Sequence, residues 1–151
     1  MTDPALVHAT LVERGLTVGC AESLTGGELA ALLSETPGAS ATFVGGVVSY
    51  ATEVKHRLLG VTATNVISGE CAVQMAAGAR DLLEVDWALS TTGVAGPDLQ
   101  EGQPVGTVFV GLAGQHTARF VRLDLEGDRA EIRSDACTAA LELLLGEVSR
   151  G

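Results

Sequence analysis

The sequence predicts a three-layer α/β/α sandwich around a mixed, mainly parallel sheet, and three observations carry that expectation. Apolar runs rich in β-branched residues alternate along the chain with stretches of helical periodicity, as parallel strands joined by crossover helices do. Two strand-like runs between residues 105 and 123 are separated by a single turn, which adds an antiparallel pair and makes the sheet mixed. The 151 residues suit one domain, 1–151, able to bury roughly 70% of the surface its unfolded chain exposes.

Each element has its own signal. Residues 4–15 place Leu6, Val7, Ala9, Leu11 and Val12 on one helix face, with Gly15 as a stop. Residues 16–21 read as a short buried strand, broken at Thr25-Gly26-Gly27, where a helix opens and runs to Ser34. Pro37-Gly38 ends it. Residues 43–50 form a second strand, with Gly45-Gly46 marking a bulge or a close backbone approach. A short helix over 52–59 follows, then a longer one to Leu83 with Ser68 as its N-cap. Residues 87–92 are a strand that ends in Gly93-Val94-Ala95-Gly96-Pro97. A polar loop over 98–103 leads to strands at 105–113 and 116–123, which turn at Gly114, and a final helix spans about 128–148.

Composition narrows the function. Nineteen acidic residues against nine basic ones give a net charge of −10, which disfavours a nucleic-acid partner because such a partner needs a basic face. It does not disfavour a small phosphate-bearing ligand held by a local pocket. Cys20, Cys71 and Cys137 have neither disulfide nor zinc spacing, and His8, His56 and His116 are scattered, so no metal is expected. No apolar run is long enough for a membrane span, and residues 1–4 do not begin a signal peptide. A cytoplasmic protein without a membrane partner is expected.

Three strand ends are too rich in glycine and hydroxyl residues for simple connections. They are Glu22-Ser23-Leu24-Thr25-Gly26-Gly27, Val48-Ser49-Tyr50-Ala51 and Thr91-Thr92-Gly93-Val94-Ala95-Gly96-Pro97. If their strands run parallel, they meet on one rim of the sheet, where ligands of open α/β sheets sit. The first turn feeds a helix whose free N–H groups favour an anion or an oxyanion. Taken alone, though, Ser23 or Thr25 equally well caps that helix. There is no GxxxxGK[ST] loop and no GxGxxG after a strand, which disfavours nucleotide triphosphate hydrolysis.

Ser23 needs a proton acceptor to act as a nucleophile, and no GxSxG elbow or nearby histidine supplies one. Tyr50, the lone tyrosine, and Lys55, the lone lysine, remain. A lysine against the phenol oxygen would favour its ionised form. The bland alternative, a packed aromatic and a solvated charge, stays open on the residues alone.

Eight strings in order resemble a known family: Ala21 to Gly27, Pro37 to Ser40, Gly45 to Ala51, Glu53 to Lys55, Leu58 to Val61, Thr92 to Pro97, Pro104 to Val108, and Gly127-Asp128-Arg129 with Ile132-Arg133. Together they resemble the C-terminal domain of the CinA (competence/damage-inducible) proteins and the stand-alone nicotinamide mononucleotide amidohydrolases (PncC type). The resemblance implies a bacterial enzyme of pyridine nucleotide salvage that cuts the carboxamide of nicotinamide mononucleotide to nicotinic acid mononucleotide and ammonia, with no cofactor. It implies Ser23, Tyr50 and Lys55 as catalytic residues. Thr25, Gly26, Gly27, Gly45, Gly46, Thr92, Gly93, Ala95 and Gly96 are expected to bind substrate, with Arg129 or Arg133 as candidate cations for its phosphate. Leu24 stands where the family often has cysteine, and the 98–103 loop lacks the family's glycine run, so loop contacts are not carried over. The larger N-terminal domain of full CinA proteins is not expected here, nor its activity, and a homodimer is. The alternatives are a non-catalytic nucleotide-binding or regulatory module linked to competence or DNA damage, and an amidase for another small amide.

Overall fold

A computed structural model describes residues 2–150. The first helix, α1 (Pro4–Arg14), starts where the Asp3 carboxylate accepts from the Ala5 N–H, and stops where Gly15 turns left-handed. It buries Val7 and Leu11. Strand β1 (Val18–Glu22) follows, with all five residues buried. It begins two residues later than the periodicity suggests, because the Thr17 N–H and hydroxyl both donate to Asp86 instead of joining the ladder. It also runs one residue further, to Glu22.

Helix α2 (Glu28–Ser34) and a 3-10 turn at Ala39–Ala41 lead to β2 (Phe43–Val48). The register slips between Val18 and Gly19, leaving Val44 as an extra residue beside Gly45. Helices α3 (Thr52–Leu59) and α4 (Gly69–Leu83) come next, the latter capped by Ser68, whose hydroxyl accepts from the Cys71 N–H at 3.1 Å. Strands β3 (Trp87–Gly93), β4 (Thr107–Ala113) and β5 (Ala118–Asp124) complete the sheet. The chain ends in α5 (Arg129–Val148), started by a reciprocal capping box between Asp128 and Glu131.

The strand order is β2-β1-β3-β4-β5. β1 pairs parallel with both β2 and β3, while β3–β4 and β4–β5 are antiparallel. The sheet is therefore mixed, with four of its five strands pointing one way. Helices α1, α2 and α5 cover one face through Leu11, Leu29, Leu141 and Leu144. Helices α3 and α4 cover the other through Leu59, Met75 and Ala79. The expected three layers are present. From β1 the chain goes first to β2 on one side and then to β3 on the other, so connections diverge above β1 and leave a crevice at its carboxyl end.

With few aromatics, the second layer closes by backbone approach. A Cβ on Gly78 of α4 would strike the Leu59 carbonyl at the end of α3. Gly78→Ala gains about 1 kcal/mol of helix propensity but forces α3 and α4 apart, at a cost of about 1–3 kcal/mol. The clash falls on backbone that cannot rotate away, so net destabilisation is expected. A urea midpoint equal to or above wild type would contradict that packing.

Candidate active site

The three parallel strands bring their carboxyl ends to one rim, and a cleft of about 370 Å³ opens there. Ser23 and Leu24 line it from the end of β1, Tyr50 from the end of β2, and residues 93–100 from the end of β3. Arg129, the first residue of α5, closes the remaining side.

Ser23 sits where β1 breaks. Its N–H donates to the Thr91 carbonyl at 3.0 Å, which continues the β1–β3 ladder one residue past the strand. The side chain is half-buried, and its hydroxyl has no hydrogen-bond partner among the described residues. Behind it lies Glu22, fully buried. Glu22 Oε1 accepts from the Thr25 hydroxyl at 2.6 Å and the Leu29 N–H at 2.8 Å, while Oε2 accepts from the Ala30 N–H at 2.9 Å. The Thr25 and Thr91 hydroxyls lie 2.8 Å apart.

This arrangement corrects one expectation. The N–H groups of α2 are not free for an anion or oxyanion, because the Glu22 carboxylate already takes two of them. Other donors are free at the cleft: the N–H groups of Leu24, Ala95 and Gly96 have no acceptor among the described residues. Gly96 adopts φ 88°, which a side chain would resist, and a Cβ there would also meet Val105. Its carbonyl is thereby turned to accept from Arg129 Nη1 at 2.6 Å.

The second correction concerns Tyr50 and Lys55. Lys55 is not a solvated charge; it is 2% exposed, on the inner face of α3. Its Nζ does not engage the Tyr50 phenol. It donates instead to the main-chain carbonyls of Ser49 at 2.9 Å and Tyr50 at 3.2 Å, because α3 starts directly after these residues and folds its inner face back under them. Burial pushes its pKa below the ordinary lysine value, while the neighbouring Cys71 thiol is pushed up to about 11 by its own burial. The Tyr50 ring is exposed, and its phenol oxygen accepts from Arg129 Nη2 at 2.8 Å.

Of the residues expected to bind substrate, Gly93, Ala95 and Gly96 line the cleft, and six others do not. Thr25 is buried in the Glu22 network. Gly26 lies beside the Arg133 guanidinium of α5, and Gly27 faces the Val48 side chain of β2. Gly45 and Gly46 are in the body of β2, where a Cβ on Gly46 would meet Cys20 Sγ at 2.8 Å, so their smallness serves strand packing. The Thr92 hydroxyl points away from the rim and donates to the Val66 carbonyl.

Neither Arg129 nor Arg133 has a carboxylate within ion-pair distance among the described residues. Arg133 Nη2 donates to the Thr25 carbonyl at 3.0 Å, and its buried Nε has no partner. No group of three or more metal-ligating side chains occurs among the described residues, and no helix is long and apolar enough to cross a membrane. Glu22 and Thr91 lie in rim segments that the sequence singles out, but their roles, and the 98–100 wall of the cleft, appear only in the structure. A glutamate closing an otherwise apolar strand, Val18-Gly19-Cys20-Ala21-Glu22, was the available signal for the first.

Comparison with known proteins gives a consistent picture. Residues 3–148 match the family described as the CinA C-terminal domain. A CinA-like protein of Frankia casuarinae is 49% identical over 144 residues, covering 92% of this chain and 33% of that protein. The chain thus spans about a third of the length of such curated relatives. The crystal structure of the competence damage-inducible protein A (ComA) from Klebsiella pneumoniae is 32% identical, with a TM-score of 0.92 over 97% of this chain and 94% of that one. A CinA superfamily protein from Klebsiella pneumoniae 700603 is 29% identical, with a TM-score of 0.93 over the full length of both chains.

Proposed function

This chain belongs to the CinA C-terminal domain family, and we propose that it is an amidohydrolase that converts nicotinamide mononucleotide to nicotinic acid mononucleotide and ammonia. The observation that carries the reading is the unengaged Ser23 hydroxyl at a polar cleft whose walls offer free backbone donors. Binding alone has no use for an unengaged nucleophile beside unpaired amides.

Ser23 Oγ attacks the carboxamide carbon, and the negative charge that develops on the carbonyl oxygen is met by amides such as those of Leu24, Ala95 and Gly96. Each such donor is worth about 3–4 kcal/mol of transition-state stabilisation. The serine proton passes by way of Tyr50 to the departing nitrogen, which leaves as ammonia when the C–N bond breaks. Arg129, donating to the phenol oxygen, stabilises charge that develops there. Water then cleaves the ester between Ser23 and the acyl group, restoring the hydroxyl and releasing the acid. Lys55 acts from behind, fixing the main chain that carries Tyr50.

The test is ammonia release by the pure protein from nicotinamide mononucleotide, nicotinamide riboside, nicotinamide and the dinucleotide. The mononucleotide is expected to be the best substrate. Release from none of them overturns the reading in favour of a binding module. Arg129 also supplies the positive charge for the phosphate end. Arg129→Met is expected to lower kcat for both substrates, because the Tyr50 phenol loses its donor, and to raise KM about tenfold for the mononucleotide alone, the loss of one charged hydrogen bond. An equal rise for both substrates would remove the phosphate role.

A further inference from the structure

We propose that Glu22 is a positioning residue for Ser23, an inference that rests on the amidohydrolase reading only for its kinetic consequences. Glu22 is a fully buried carboxylate with no cation within ion-pair distance among the described residues. It is held instead by three hydrogen bonds of 2.6–2.9 Å from the segment that immediately follows Ser23, with a longer contact from the Cys20 thiol to Oε2 at 3.9 Å. Burying a carboxylate is costly, and a cap at α2 could be supplied by a small neutral side chain. Its placement calls for another reason.

The direction of the hydrogen bonds supplies it. The Thr25 hydroxyl donates to Glu22 Oε1 and so spends its single proton there. The Thr25 oxygen must then accept from the Thr91 hydroxyl, 2.8 Å away. The Thr91 oxygen, its own proton used, is left to accept from the Ser23 N–H at 3.4 Å, beside the Thr91 carbonyl that accepts the same N–H at 3.0 Å. One acceptor therefore orients a chain from the Ser23 N–H through Thr91 and Thr25 to Glu22. At the same time its two oxygens tie down Leu29 and Ala30, the far end of the turn. Ser23 is fixed from both sides by a group that never touches substrate.

Glutamine in place of Glu22 keeps the size but presents an NH2 group to one of the N–H donors of α2. Thr91→Val keeps the shape of its side chain and removes the middle link. Each variant is to be measured for kcat and KM with nicotinamide mononucleotide, for thermal midpoint, and for amide hydrogen exchange at Ser23. Glu22→Gln is expected to lower kcat about 100-fold, the scale of a small misplacement of a reacting group, with KM within twofold of wild type. Thr91→Val is expected to lower kcat about tenfold, with the same KM. In both, exchange at the Ser23 N–H is expected to quicken while that of β4 does not. A kcat within threefold of wild type in either folded variant overturns the proposal, as does a loss that falls on KM. If Glu22→Gln does not fold, Thr91→Val decides alone. If the wild-type protein releases no ammonia, the amidohydrolase reading falls, and exchange decides Glu22 separately: equal Ser23 protection in wild type and Glu22→Gln overturns its positioning role.

Discussion

Ser23→Ala is expected to lower ammonia release from nicotinamide mononucleotide by about a thousandfold or more, with the fold intact. The first half follows from the chemistry: the other hydroxyl among the residues lining the cleft, the Tyr50 phenol, is bonded to Arg129 and serves the proton relay in the proposed reaction. Removing a nucleophile that acts as a unit with its proton acceptor costs on the order of 10³- to 10⁶-fold in turnover, leaving only what the backbone donors and binding provide. The second half follows from the packing. The Ser23 hydroxyl contributes no hydrogen bond to the fold, and the bonds that hold the turn run through the Ser23 N–H and its neighbours, which alanine retains. A stability change within about 0.5 kcal/mol is expected in a denaturation curve. A variant with near-normal ammonia release would remove Ser23 from the chemistry.

Lys55→Met is expected to lower kcat about 100-fold and to change how stability depends on pH. Methionine fills much the same space but leaves the Ser49 and Tyr50 carbonyls without their donor, so the segment that presents Tyr50 loosens. An effect confined to KM would instead place Lys55 in substrate binding. The pH effect has a definite sign. Burial holds the Lys55 pKa below its ordinary value of 10.5, so between the lowered value and 10.5 the unfolded chain binds more protons here than the folded one. The contribution of this group to stability therefore rises as pH climbs through that window, and it is absent from the methionine variant. The urea midpoint of wild type minus that of Lys55→Met should grow as pH climbs towards the ordinary lysine value of 10.5. A constant difference would mean that the ammonium is no less stable in its folded surroundings than in water.

The elements were legible because each rests on local chemistry. Gly15 stops α1, Ser68 starts α4, Asp128 with Glu131 starts α5, and the apolar runs alternate with helical faces. The rim was legible too, since three unusual strand ends and a parallel sheet leave few other arrangements. What the sequence concealed was partnership across distance. Lys55 lies five residues from Tyr50, close enough to suggest contact with the phenol, yet the geometry of a helix that starts between them brings its Nζ to the main chain instead. The phenol's actual partner, Arg129, is 79 residues away, and no spacing rule connects them. Gly45 and Gly46 misled for a related reason: a pair of glycines at a strand signals close approach, but not whether a ligand or a neighbouring cysteine is what approaches.

The reach of Arg129 has a bearing on biosynthesis. When β1 to β3 have left the ribosome, the chain already contains Ser23, Tyr50 and the turn from Gly93 to Gly96, but the guanidinium that joins the Tyr50 phenol to the Gly96 carbonyl belongs to a helix still to be made. Domains tend to fold as units once their sequence is available. The candidate site is therefore completed last. An incomplete chain that stops before α5 carries Ser23 at the rim without the Arg129 side of the cleft.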